Sequence, residues 1–127
     1  MEIGEWSAVA VVVLAAGLWI YAKRGGMRPA QAVELARQPG TLVLDVRAEG
    51  EYAQGHLERA VLIPIEALSA RTGELPQDRN TPIVVYCARG SRSAMAAGIL
   101  QAKGYRHVHD MVGGIAAWQA AGLPVVK

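Results

Sequence analysis

Residues 81–104 read TPIVVYCARGSRSAMAAGILQAKG, and the change of character inside this stretch decides the fold. Up to Cys87 the run is apolar and rich in β-branched residues, without the alternation of a half-exposed strand, as expected of a strand covered on both faces. Past Gly90 the composition turns helical, from Ser91 to Lys103, and Gly104 closes the helix. A buried strand feeding directly into a helix is half of a βαβ unit. The same alternation repeats outward in both directions. TLVLDV (41–46) and AVLIPI (60–65) are expected strands, the second broken by Pro64, and HVHDM (107–111) is a fourth. Helices are expected from Pro29 to Gln38, acidic from the start to the middle and basic at the end, with Pro39-Gly40 as the stop. Others are expected from Ala48 to Gln54, over EALSAR (66–71), and from Ile115 to Ala121 before Gly122. The expected fold class is therefore α/β, an open, mostly parallel sheet with helices on both faces. In such sheets sites gather at the carboxyl ends of strands.

One segment stands outside that alternation. Trp6 to Ala22 reads WSAVAVVVLAAGLWIYA, without a charge, and as a helix it is about 25 Å long, at the short end of what spans a hydrocarbon core. Trp6 at one end and Trp19 and Tyr21 at the other occupy the positions of interfacial aromatics. Glu2 and Glu5 precede the run and Lys23, Arg24 and Arg28 follow it, whereas a cleaved secretory signal wants its basic residues first. Residues 1–23 are thus expected as one N-terminal transmembrane helix, with a buried helix of a soluble protein as the competing reading. Residues 24–127 are expected as the globular domain. The positive-inside rule puts the N-terminus out and that domain in the cytoplasm, as in a single-pass protein of a bacterial inner membrane.

Composition removes several function classes. A chain of 127 residues has room for one ordinary core. With 19% charged residues and a net charge of +2, neither a charged disordered tail nor nucleic-acid binding through bulk charge fits. A single cysteine forbids an internal disulfide and a Cys-rich zinc site, and His56, His107 and His109 have no metal-ligand spacing. No metal is expected. His107 and His109 read as strand residues.

That leaves Cys87, which the third strand delivers to its carboxyl end, over the start of a helix. Converging backbone N–H groups and the helix dipole favour an anion there, and Arg89 and Arg92 add positive charge. A thiolate or a bound oxyanion is stabilised in such a place. Gly90 supplies the backbone freedom that a loop wrapped around one atom needs. The plainer alternative is a cysteine serving as a small buried hydrophobe.

VYCARGSRS (85–93) resembles the active-site segment of rhodanese sulfurtransferase domains, C-x-x-G-x-R-S. LDVRAEGEYAQGHLERAVLIPIEAL (44–68) resembles the family's L-D-V-R-x-x-x-E-Y-x-x-G-H-I-x-G-A-x-x-I-P block, and MVGGIAAWQAAGLPV (111–125) its G-G-x-x-x-W-x-x-x-G-x-P close. The resemblance implies a nucleophilic Cys87 that takes the outer sulfur of a donor such as thiosulfate and holds it as a persulfide. It then passes the sulfur to cyanide, a small thiol or a protein thiol. The persulfide is covalent and no further cofactor is implied. The N–H groups of Ala88, Arg89, Gly90, Ser91, Arg92 and Ser93 form the expected cradle. Arg92 is expected to fix it and add charge, and Arg89 to meet an anionic donor. Asp45 and Arg47 are implied as a supporting layer, and His56 as a structural position rather than half of a Cys-His dyad.

Two positions depart from the pattern. Arg59 stands where the family commonly has glycine, with the expectation of an altered turn and an extra charge near the site, and Ala88 stands where many members carry a cation. The loop from Cys87 through Arg92 has the length of the sulfur-transferring members, against the longer loop of the related phosphatases, so phosphatase or arsenate reductase activity is the minor alternative. A non-catalytic interaction module of the same fold is the other.

Overall fold

The computed structural model describes residues 26–127, so the expected anchor over residues 1–23 lies outside the described residues. Among the described residues no helix is long and apolar enough to cross a membrane. The elements run α1 (Pro29–Ala36), β1 (Leu42–Asp45), α2 (Glu49–Ala53), β2 (Val61–Leu62), α3 (Ile65–Leu68), a 3-10 turn (Thr72–Glu74), β3 (Ile83–Tyr86), α4 (Ser91–Ala102), β4 (Val108–Asp110) and α5 (Gly114–Ala120). The four strands form one parallel sheet in the order β2-β1-β3-β4. The two most apolar strands, β1 and β3, lie at its centre, where both faces are covered.

Strand alternation sorts their side chains into two cores. Leu44, Val46, Ile83, Val85 and Cys87 point to one face and pack against Leu68 of α3 and Ala96 and Leu100 of α4. Val43, Val84 and Tyr86 point to the other, where Ala32 of α1 and Ile115 and Trp118 of α5 cover them. Cys87 therefore emerges on the face that α4 covers.

Three local differences from the expected elements have physical causes. β2 keeps only two residues because Pro64 lacks an N–H and its φ of −54° leads into α3 one residue later. The edge nevertheless continues in single bonds, Ile63 N–H to the Asp45 carbonyl and Ile65 N–H to the Val46 carbonyl, each 3.0 Å. α1 stops at Ala36, where the expected acid in its first turn and base in its last are missing, and its one ion pair among the described residues, Glu34 with Arg37, is 3.7 Å long and exposed. Arg59 holds a left-handed φ of 64°, the conformation that favours glycine. Its guanidinium donates to the Ala36 carbonyl at 2.6 Å, so the extra charge expected near the Cys87 loop is instead engaged at the carboxyl end of α1, where the helix dipole favours a cation.

Candidate active site

β3 ends at Tyr86, and Cys87 follows at the bottom of the loop with 1% exposure. Gly90 turns the chain with φ 118° and serves as the N-cap of α4, which aims its own N–H at the sulfur, 3.0 Å from Sγ. Ser93, one turn along and fully buried, places Oγ 3.4 Å from Sγ, and its hydroxyl donates to the Gly90 carbonyl at 3.2 Å. Burial pushes the Cys87 thiol up. The Ser93 hydroxyl and the backbone N–H groups of Ser93, Gly90 and Arg89 outweigh it and leave the thiol below its ordinary value. A hydroxyl can turn its single proton, so on ionisation Ser93 can donate to the thiolate. Of the six expected cradle residues, Arg89, Gly90 and Ser93 act on the sulfur. Ala88 instead offers its carbonyl to the N–H of Ala116 at 3.1 Å, and Ser91 opens α4 on the surface.

The back of the loop rests on α5. Ile115 N–H bonds to the Cys87 carbonyl at 2.9 Å, beside the Ala116 bond. Gly114, at φ 62°, lets the two backbones meet, because a Cβ there would overlap the carbonyls of Cys87 and Ala88. The glycine pair that opens α5 thus acts as the seat of the cysteine loop, a role the motif alone does not disclose.

Arg92 does not point a free charge at the sulfur. Its guanidinium grips Glu51 of α2 through two bonds, Nη1 to Oε1 at 2.7 Å and Nη2 to Oε2 at 2.9 Å. The Arg92 guanidinium beside Glu51 lowers its carboxyl from 4.5 to about 2, against a smaller opposing effect of burial. The pair ties the start of α4 to α2. The Arg92 charge is shared with Glu51 while it still interacts with the Cys87 sulfur. Sequence reasoning missed Glu51, although it is the acid of E-Y in the quoted block.

Asp45 and Arg47 form a buried pair under the loop's neighbour. Arg47 Nε lies 3.1 Å from both Asp45 oxygens, its Nη2 lies 2.7 Å from Oδ2, and its backbone N–H bonds to Oδ1 at 2.9 Å. Nη2 also donates to the Gly55 carbonyl at 2.7 Å, tying the end of α2 to β1. Asp45 is level with Tyr86 in the sheet and so faces away from Cys87. The pair positions α2, and α2 carries Glu51. Tyr86 accepts the Leu57 N–H at 3.1 Å, and burial raises its phenol far above the ordinary value.

His56 stacks on Tyr52, with ring centroids 3.6 Å apart and 4° between planes, donates from Nδ1 to the Tyr52 carbonyl at 2.9 Å, and bridges to Val126 through its backbone. These are structural contacts. Arg89 is exposed and enters no ion pair among the described residues.

A parallel sheet whose central strand ends on a low-lying thiol, ringed by amides at a helix start, defines a class of α/β protein built to hold an anion on or beside a cysteine. The chain belongs to the rhodanese-like domain family, which matches residues 28–121. It is similar to a sulfurtransferase of Allochromatium vinosum, 39% identical over 72% of this chain and 84% of that protein. It is also similar to the thiosulfate sulfurtransferase PspE of Escherichia coli, 36% identical over 55% of this chain and 67% of that one. Among solved structures, a rhodanese-related protein of Thermoplasma volcanium superposes with a TM-score of 0.72 at 34% identity, over 80% of this chain and 96% of that chain.

Proposed function

We propose that the chain is a membrane-anchored sulfurtransferase that carries sulfane sulfur on Cys87. The observation that supports this best is the donor set around Sγ: the Gly90 N–H at 3.0 Å, the Ser93 hydroxyl at 3.4 Å and the Arg89 and Ser93 amides. Such a set stabilises the attacking thiolate and, once sulfur has been transferred, a terminal persulfide anion one S–S bond further out.

Each half-reaction balances. The Cys87 thiolate attacks the outer sulfur of thiosulfate, an S–S bond forms to Cys87, the donor's S–S bond breaks, and sulfite leaves with the electron pair. Cyanide or a thiolate then attacks the outer sulfur of the persulfide, and the Cys87 thiolate leaves. The reaction needs no metal or organic cofactor. With 1% exposure at Cys87, only the end of a slender donor reaches the sulfur, which suits a terminal sulfane atom. The physiological partners are a small sulfur donor and a thiol or cyanide acceptor, a protein thiol among them, with no nucleic acid.

The anchor rests on the sequence of residues 1–23: an uncharged stretch bounded by aromatics and followed by Lys23 and Arg24. It holds the domain on the cytoplasmic side of a bacterial inner membrane, N-terminus out.

Cyanide-dependent thiocyanate formation from thiosulfate, measured on the full-length protein in non-ionic detergent, tests the activity. Wild type turns over, and Cys87→Ser does not. Thiosulfate also adds about 32 Da to the wild-type Cys87 peptide as a persulfide. Equal background from both proteins, with no mass gain, overturns the enzyme reading in favour of a non-catalytic interaction module.

A further inference from the structure

A cavity of about 280 Å³ adjoins the cysteine loop between α2 and α5, lined by Arg47, Glu51, Gln54, Gly55, Ile115 and Gln119. Two of these residues also hold the loop: Glu51 through its bonds to Arg92, and Ile115 through its N–H to the Cys87 carbonyl at 2.9 Å. Bond lengths alone then put the Ile115 nitrogen within about 8 Å of Sγ. The reaction above assigns this space no role.

Arg47 is the buried cation of that lining, its side chain 6% exposed, and its hydrogen bonding is incomplete. Nε and Nη2 serve Asp45 and the Gly55 carbonyl, whereas Nη1 has no hydrogen-bond partner among the described residues. Nη1 carries two N–H donors. It is not sealed in either: the one buried side-chain atom left without a partner among the described residues is Asp110 Oδ1, so the open side of Arg47 is its cavity side. A guanidinium only donates, so whatever fills the space opposite it must accept. Gln54 and Gln119, both exposed, add an amide each at the rim. Glu51 on the same lining is already occupied, by Arg92 at both oxygens and by the Ala48 N–H. Counting the cavity, its ion-pair partners and the adjoining loop, Arg47, Arg89 and Arg92 face Asp45 and Glu51, which leaves one surplus positive charge. A surplus cation and free donors make an anionic oxygen ligand the better match than a neutral one.

We propose that this cavity is a subsite for the carboxylate of a small thiol acceptor, held by Arg47 Nη1 and the Gln54 and Gln119 amides while the thiol end reaches the sulfur carried by Cys87. The inference rests on the sulfurtransferase reading and names the chemical class of its acceptor. The acceptor thiol gives its proton to water, and its thiolate attacks the outer sulfur of the Cys87 persulfide. A new S–S bond forms to the acceptor, the bond to Cys87 breaks, and the Cys87 thiolate leaves with the electron pair. The acceptor departs as its own persulfide. A carboxylate fixed at Arg47 turns an encounter between two thiols into a reaction at a set distance, so the length of chain between carboxylate and sulfur decides how well an acceptor works.

Full-length protein supplied with thiosulfate is offered unbranched mercaptocarboxylates from mercaptoacetate to 6-mercaptohexanoate, beside the mercaptoalcohols of matching length, with rates referred to the thiolate. The preference for carboxylate over alcohol in kcat/KM peaks at one chain length, at about five-fold or more. A preference that stays flat along the series is mere attraction by exposed charge and overturns the proposal. Gln119→Glu places a like charge at the rim and lowers the peak preference about five-fold; an unchanged preference overturns it too. Binding is read separately from turnover. On full-length Cys87→Ser, 3-(methylthio)propionate is titrated while the side-chain amide signals of Gln54 and Gln119 and the Arg47 Nε signal are followed by ¹H–¹⁵N NMR. The carboxylate gives saturable shifts and its methyl ester gives none; absence of shifts with the carboxylate overturns the proposal. Saturable shifts in a protein whose wild type transfers no sulfur sink the sulfurtransferase reading alone, and sulfur transfer without shifts or a length optimum sinks this inference alone.

Discussion

Replacing Glu51 by Gln tests whether the α2 ion pair holds the cysteine loop. The substitution is narrow. Glu51 also accepts the Ala48 N–H at 3.1 Å as the capping acceptor of α2, and a glutamine oxygen keeps that bond while the charge disappears. The carboxyl falls from 4.5 to about 2 beside Arg92, which sets a ceiling of about 3 kcal/mol on the pair. The two side chains are 33% and 36% exposed, so solvent screening reduces this to about 1 kcal/mol. The native carboxyl is the stronger acid, so its contribution is complete above the unfolded value near 4.5 and is lost as pH falls through about 2. Urea unfolding of wild type and Glu51→Gln at neutral pH should differ by about 1 kcal/mol, with the gap closing between pH 4.5 and 2. If the loop loses that order before the transition state, kcat/KM for thiocyanate formation falls about five-fold. A gap that persists unchanged at low pH, or variants equal in both stability and turnover at pH 7, would refute the claim that this pair fixes the loop.

Gly114→Ala forces a Cβ into the Cys87 and Ala88 carbonyls at a left-handed φ, and urea unfolding should report a loss of about 3 kcal/mol; a loss below about 1 kcal/mol would mean that α5 can back away from the loop. Arg89→Gln removes an exposed cation at the mouth and should raise KM for thiosulfate about five-fold with little change in kcat, an effect that fades as salt is added; a change confined to kcat would place Arg89 in the chemistry instead. Full-length protein should stay with membranes through high-salt and carbonate washes, and release by either wash contradicts the anchor.

Much of the sheet was legible because burial on both faces leaves a signature that needs no partner to be read. TLVLDV and TPIVVYC are apolar at every position that either core uses, and they became β1 and β3 at the sheet centre. β2 was overextended because an apolar run does not say where the ladder stops, and the backbone chemistry of Pro64 decides that. The loop residues were legible for the same local reason: strand, cysteine, glycine and helix start are contiguous. What stayed hidden was pairing across distance. Glu51 lies 41 positions from Arg92, so nothing near either residue announces the other. Gly114 and Arg47 are similar cases, one a space kept empty for a neighbouring backbone and the other a guanidinium whose open side is created only when α2 meets α5.

Arg59 and Arg92 share a further lesson about charge. Both read in sequence as cations available to the site; Arg59 is engaged away from it by the Ala36 carbonyl, and Arg92 is paired with Glu51 beside it. The largest stabilisation of the sulfur comes from short-range dipoles, one hydroxyl and the amides of Ser93, Gly90 and Arg89, with the paired Arg92 charge acting on it as well. Dipoles act over a bond length or two, whereas a full charge acts across the mouth of the site. If Cys87 carries sulfur as proposed, the outer atom sits about 2 Å beyond Sγ, and fixed amides can serve it only if several of them converge along that line. The loop is held from outside, with Glu51 gripping Arg92 at one end and the backbone of α5 bonding to the carbonyls of Cys87 and Ala88 at the other. The order of the amides then depends on residues that never touch the sulfur.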